Sequence, residues 1–147
     1  MVDVQTEILI NKPSEVVADY AMDPDNAPLW YVNIRSARWI TSQPLDIGSQ
    51  IAFEAAFLGK KLLYTYEVTE LLPGRKLVMR TADGPFPMET TYEFEQVGEL
   101  VTKMKLRNRG NPSGFSKVFS PFMEMMMRNA NKKDLKKIKE LLEGPKS

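Results

Sequence analysis

From Ile34 to Arg107 the signal is that of β-strands almost throughout, in segments separated by turn-forming residues. That pattern produces long antiparallel strands with one wet face and one dry face, and a dry face has to be covered. Turn chemistry sets the strand registers. Gly59-Lys60 suits a type II′ turn, which places Phe57 against Leu62, Ala55 against Tyr64 and Phe53 against Tyr66. Pro73-Gly74 fits the centre of a type II turn, with Val68 opposite Met79 and Glu67 opposite Arg80. A three-residue loop around Gly98 brings Tyr92 opposite Met104 and Thr90 opposite Leu106, while Glu93 meets Lys103 and Glu89 meets Arg107 on the reverse face.

The dry face so defined carries Phe53, Phe57, Tyr64, Tyr66, Val68, Leu77, Met79, Thr90, Tyr92, Phe94, Thr102, Met104 and Leu106. The segment long enough to cover it is C-terminal, where Phe115, Phe119, Phe122, Met126, Leu135, Ile138 and Leu142 recur as a helical stripe. Pro121 lacks a backbone N–H and crowds the preceding turn, so Ser120-Pro121 either opens a new helix or kinks one. The helix is expected to end near Glu143, before Gly144-Pro145. Upstream, Val2 to Ile10 alternates as a strand, a short helix begins near Pro13 or Ser14 and runs to about Tyr20 or Ala21, and residues 23–28 form a turn or single helical turn that sets down Leu29-Trp30. The expected fold class is α+β. A curved antiparallel sheet of about seven strands wraps a long C-terminal helix, with two short helices after the first strand. Neither repeats nor a linker divide residues 1–147, so one domain is expected.

Composition narrows the chemistry. The chain has no histidine and no cysteine, which removes disulfides, thiolate nucleophiles, Cys/His zinc sites, Ser-His-Asp triads and imidazole acid-base catalysis. Carboxylate, lysine, arginine or tyrosine chemistry remains, and neither a metal nor a cofactor is expected. A net charge of +1 gives no global attraction to nucleic acid or anionic lipid. No run approaches the roughly 20 apolar residues that span a bilayer, and Met1 to Glu7 lacks the regions of a signal peptide, so stable membrane insertion is not expected and a cytoplasmic location is.

Several segments together resemble the START-related superfamily, and within it the polyketide cyclase/dehydrase-like group of small bacterial proteins with a helix-grip fold. They are Ile8-Leu-Ile-Asn-Lys-Pro-Ser-Glu-Val-Val, Asp23 to Trp30, Pro44-Leu-Asp-Ile-Gly-Ser, Tyr66-Glu-Val-Thr-Glu-Leu-Leu-Pro-Gly-Arg, Thr91-Tyr-Glu-Phe and Asp134-Leu-Lys-Lys-Ile-Lys-Glu-Leu-Leu-Glu. The resemblance spans essentially the whole chain. It implies a deep, mostly apolar cavity between sheet and helix, used by different members for lipids, hormones, polyketides or nothing identified, and it supplies no catalytic motif to carry over.

The inward face mixes aromatic and thioether surface with hydroxyls, the composition of a pocket with a few orienting hydrogen bonds. The same tyrosines would serve equally as packed core. Candidate ligand-binding residues are Trp30, Phe53, Phe57, Tyr64, Tyr66, Met79, Phe86, Thr90, Tyr92, Met104, Phe119, Met123 and Met126; no catalytic residue is assigned. Trp30 is a candidate wall of the cavity mouth, and Ala82-Asp-Gly-Pro-Phe-Pro is either a gate or a rigid connector. Met125, Met126 and Met127 cannot all face the sheet, because neighbouring helical residues point about 100° apart. At least one should be exposed, where it offers a dimer or membrane-touching edge.

The terminal cations Arg128, Lys132, Lys133, Lys136, Lys137 and Lys139 fit the solvated side of an amphipathic helix; no aromatics interleave with them, so nucleic acid is not an expected partner. The first functional expectation is a carrier or sensor, monomer or weak homodimer, holding a hydrophobic or amphipathic small molecule. The second is a cyclase- or dehydratase-type enzyme in the same cavity, which needs an internal acid or base. The strand carboxylates face outward in these registers apart from Glu70, which weighs against it, while Arg35 or Arg38 remains able to enter. The third is a protein-interaction module like those that stimulate chaperone ATPases.

Overall fold

The structure, a computed structural model, describes residues 2–57, 59–84, 87–110 and 120–144, with the backbone alone at 57, 120 and 121. Strand β1 (Val2–Ile10) leads into helix α1 (Ser14–Met22), a 3-10 turn (Pro24–Asn26) and the short helix α2 (Ala27–Trp30). Strands β2 (Ile34–Trp39), β3 (Gln50–Phe57), β4 (Lys60–Leu72), β5 (Lys76–Asp83), β6 (Met88–Gly98) and β7 (Val101–Gly110) follow, and helix α3 (Ser120–Glu143) comes last. The strands form one curled antiparallel sheet of seven in the order β1-β7-β6-β5-β4-β3-β2, so the first strand pairs with the last. This is the helix-grip arrangement expected from the alternation and the terminal stripe. Among the described residues no helix is long and apolar enough to cross a membrane.

The β4–β5 hairpin has the expected register at Val68↔Met79 and Glu67↔Arg80, with Gly74 at φ +75° and Arg75 N–H donating to Leu72 O. A bulge between Val68 and Glu70 then absorbs one residue. The other two hairpins are each displaced by two residues. Phe57 pairs with Lys60, Ala55 with Leu62, Phe53 with Tyr64 and Ile51 with Tyr66. Tyr92 pairs with Leu106, Thr90 with Asn108, Glu93 with Lys105 and Glu89 with Arg109, because pairing continues to Gly98↔Val101 around a bulge. The physical reason is the period of the strand: a two-residue slip returns every side chain to the same face, so alternation and charge pairing are satisfied equally in both registers.

Helix α3 lies alongside β1, and their polar groups are matched along the length. Asp3 N–H donates to Glu124 Oε1 (3.2 Å), Arg128 Nη1 to Gln5 O (3.2 Å), Lys139 Nζ to Leu9 O (2.8 Å) and Asn11 N–H to Glu143 Oε2 (2.9 Å). Nineteen helical residues rise about 28 Å and eight strand residues about 27 Å, which is why the two stay in step. The sheet edge left open at β1 is thereby capped by side chains of the helix. Arg128 and Lys139 thus hold backbone carbonyls in addition to facing solvent.

The half-pipe is filled unevenly. At one end Ile10, Val17, Ala18, Ala21, Trp30, Val68, Leu77, Met79, Tyr92, Phe94, Met104 and Leu106 pack against Leu135 and Ile138 in one dense core. Helices α1 and α2 plug that end. Toward the start of α3 a smaller cluster of Val2, Val4, Met88 and Met123 meets Tyr64, Tyr66 and Met127. A third cluster, Ala27, Ile51 and Phe53, fills the side beneath β2 and β3.

The buried stripe of α3 departs from expectation in its first half. Phe122 is exposed and Met126 only half-buried, whereas Met123 is buried. Met126 precedes Leu135 by nine positions, which is half a turn out of phase at about 100° per residue. Extending the phase of Leu135 and Ile138 backward leads instead to Asn131, Met127 and Met123. Met125 is the exposed member of the methionine run. Phe115 and Phe119 lie outside the described residues.

Candidate functional site

Between α3 and the loosely filled end of the half-pipe lies a cavity of about 140 Å³. Its apolar walls are Ala55 and Ala56 of β3, Leu62 of β4, Met88 of β6, and Met123, Met127 and Ala130 of α3. Tyr64 and Tyr66 of β4, Asn108 of β7, Tyr31 and Asn33 from the segment after α2, and Asn131 and Asp134 of α3 supply the polar groups. The alternation of β4 aims both tyrosines inward, and their rings lie 5.9 Å apart. A volume of this size is close to that of an engineered apolar cavity that takes up benzene.

Of the thirteen candidates, Tyr64, Tyr66 and Met123 line this cavity. Met126 does not, and Met127 stands in its place. Thr90 lies just behind the wall, its Oγ1 donating to Asn108 Oδ1 at 2.6 Å. Trp30, Met79, Tyr92 and Met104 belong to the dense core, and Phe53 to the side cluster. Trp30 is fully buried, its ring 4.0 Å from that of Tyr31 and 5.6 Å from that of Tyr92, so it seals the plugged end instead of bordering a mouth. Phe86 and Phe119, and the side chain of Phe57, fall outside the described residues. Arg35 and Arg38 are both exposed. Arg35 sits at the β2 bulge and Arg38 beside Ala52, so neither enters the cavity.

The polar inner wall is the part that sequence reasoning missed. Asp134 is 3% exposed, and its Oδ1 accepts the Val32 N–H at 2.8 Å. Burial pushes its carboxyl up to about 7, with the Val32 hydrogen bond acting in the opposite direction. Tyr31 and Tyr92 share a hydrogen bond between their hydroxyls at 2.5 Å. Burial holds both phenols well above their ordinary range, and the nearby Asp134 carboxylate raises them further. Burial likewise lifts Tyr64 to about 12 and Tyr66 further upward. The phenols are therefore neutral donors across the physiological range. Asn131, one helical turn before Asp134, is 4% exposed, and its Nδ2 has no hydrogen-bond partner among the described residues.

The outward placement expected of strand carboxylates therefore holds at Glu89; Glu70, the expected exception, is also partly solvent-exposed and ion-paired, and it is the helix that delivers a carboxyl inside. Glu89 pairs with Arg80 at 2.7 Å and Arg109 at 2.5 Å, and Glu70 with Lys76 at 3.5 Å. A signal for the missed pair was present: Asn131 and Asp134 stand seven and four positions before Ile138, on the stripe that must be dry. Among the described residues no cluster of acidic, histidine or cysteine side chains is arranged to hold a metal ion.

A family model described as polyketide cyclase / dehydrase and lipid transport matches residues 1–143. No curated protein matches the chain significantly. Among solved structures, a START superfamily protein from Mycobacterium smegmatis superposes with a TM-score of 0.82 at 14% identity, over 96% of this chain and 97% of that one. An aromatase/cyclase from a Streptomyces species gives 0.80 at 13% identity, over 96% and 93%. A Thermus thermophilus protein gives 0.78 at 20% identity, over 95% and 96%. At these identities the likeness is one of fold.

Proposed function

Because the chain belongs to the polyketide cyclase / dehydrase and lipid transport family, we propose that it is a cytoplasmic carrier or sensor that holds a small amphipathic molecule between the sheet and α3. The observation that carries this reading is the division of the cavity wall. Methionine, leucine and alanine surface surrounds an opening whose inner end presents an unpaired amide and a buried carboxyl. An apolar body would be desolvated against the first, and a polar end oriented by the second. The thioethers of Met88, Met123 and Met127 are flexible, so the occupant can exceed the resting volume by rotation of side chains alone. Within this reading Tyr64, Tyr66 and Met123 contact the guest, joined by Tyr31, Met127, Asn131 and Asp134. Native mass spectrometry and solvent extraction of protein purified from its own host test it. A copurifying small molecule that disappears in Ala130→Phe, with the fold kept, is the expected result; an empty chain that also takes up no apolar probe overturns it.

A specific observation favours a second reading, a cyclase- or dehydratase-type enzyme. A carboxyl poised near neutrality that shares the cavity wall with the neutral phenols of Tyr31 and Tyr66 is the equipment for removing a proton next to a carbonyl and hydrogen-bonding the resulting oxyanion. Asp134→Asn that keeps guest binding but abolishes turnover of a bound carbonyl compound would separate catalysis from carriage.

A further inference from the structure

We propose that Asp134 and Asn131 form a head-group filter that admits neutral, hydroxyl-bearing amphiphiles and rejects anionic ones. This rests on the cavity being a binding site and adds which chemistry it takes. The two side chains stand one helical turn apart on the same buried face of α3, and both line the cavity. Asn131 Nδ2 is a buried donor without a partner among the described residues, which is a standing penalty until an acceptor arrives. Asp134 has one oxygen committed to Val32 N–H and offers its remaining acceptor capacity. A hydroxyl satisfies both at once: its hydrogen goes to the carboxylate and its lone pair receives the amide N–H.

A carboxylate satisfies only the amide and sets its charge against that of Asp134. No lysine or arginine lines the cavity among the described residues, so nothing there compensates a second negative charge. The groups that face Asp134 from neighbouring elements are Tyr31 after α2 and Tyr92 on β6, both neutral donors; on α3 itself the adjacent Lys133 and Lys137 are exposed. The rejection is therefore proton-linked. As Asp134 takes up a proton, the repulsion disappears and a carboxylate can share a hydrogen bond with the neutral acid.

The test uses three probes of one ring each, 4-methylphenol, 4-methylbenzoate and p-xylene, titrated into the full chain carrying 13C-methyl methionine. Met88, Met123 and Met127 report from the cavity wall. At pH 8.5 the phenol is expected to bind at least tenfold more tightly than the benzoate, and at pH 5.5 the gap should close to about threefold. Asp134→Asn should give the small gap at both pH values, and Asn131→Leu should lower phenol affinity toward that of p-xylene. Equal binding of phenol and benzoate at pH 8.5, or a gap that survives in Asp134→Asn, overturns the filter while leaving the binding site standing if p-xylene still shifts the methyl signals. If none of the three shifts them, the binding reading fails and the filter with it.

Discussion

The buried Asp134 makes a quantitative claim about stability. A carboxyl whose proton is held in the folded chain up to about pH 7, against 3.8 when exposed, is neutral in both states at low pH. As pH rises above 4 the unfolded chain ionises while the folded chain does not, so stability falls by about 1.4 kcal/mol per pH unit until the folded carboxyl also ionises near pH 7. The whole effect is on the order of 4 kcal/mol, a large share of the roughly 5–15 kcal/mol that holds a domain together. Asparagine at this position keeps an acceptor for Val32 N–H and cannot ionise. Asp134→Asn should therefore be more stable than the parent by about 1–2 kcal/mol at pH 5 and by about 4 kcal/mol at pH 8.5. Urea titrations of both proteins at the two pH values measure this directly, and the subtraction removes contributions from Asp3, Glu89 and Glu143. Those carboxylates are lowered by their hydrogen-bonded partners and act in the opposite sense, losing stability as pH falls. An advantage that stays constant within about 0.5 kcal/mol between the two pH values would refute the reasoning, because it would mean the carboxyl ionises alike in both states.

Other substitutions test the packing around the site. Gly110→Ala should destabilise by about 2 kcal/mol, since a Cβ there would lie 2.9 Å from Pro87 O and against the Met88 thioether; Met88→Ala should rescue it only in part, as the carbonyl remains. Leu135→Ala and Ile138→Ala in the dense core should each cost about 2–5 kcal/mol in urea denaturation, against less than about 0.5 kcal/mol for the exposed Leu141→Ala. Thr90→Val should cost about 1–3 kcal/mol by stranding Asn108, and Thr90→Val with Asn108→Leu should cost less than the sum, which a double-mutant cycle reads as coupling. Lys139→Met removes a donor from the Leu9 carbonyl and should raise amide hydrogen exchange along β1 while changing global stability by under about 1 kcal/mol.

Much of the fold is legible in residue order. Alternation separated the two faces of β3 to β7, Pro73-Gly74 fixed the pairing of Glu67 with Arg80, and Gly144 ended α3 where a left-handed residue was needed, at φ +77°. These are local choices, made by turn chemistry and by a side-chain period that no neighbour can alter. Registers that differ by two residues lie beyond that logic, because both keep every face intact; only the competing pairings along β3–β4 and β6–β7 select one. The site is less legible for a related reason. Tyr64 and Tyr66 could be placed by face, but whether a face meets packing or a void depends on how α1 and α2 fill one end of the half-pipe and leave the other to thin methionine and alanine surface. Asp134 shows the division most sharply. Its identity and helical phase are written in the chain, yet its burial, its raised pKa and its place beside Asn131 and Tyr31 arise only when α3 is laid across the sheet, since desolvation is a property of what surrounds a group and not of the group itself.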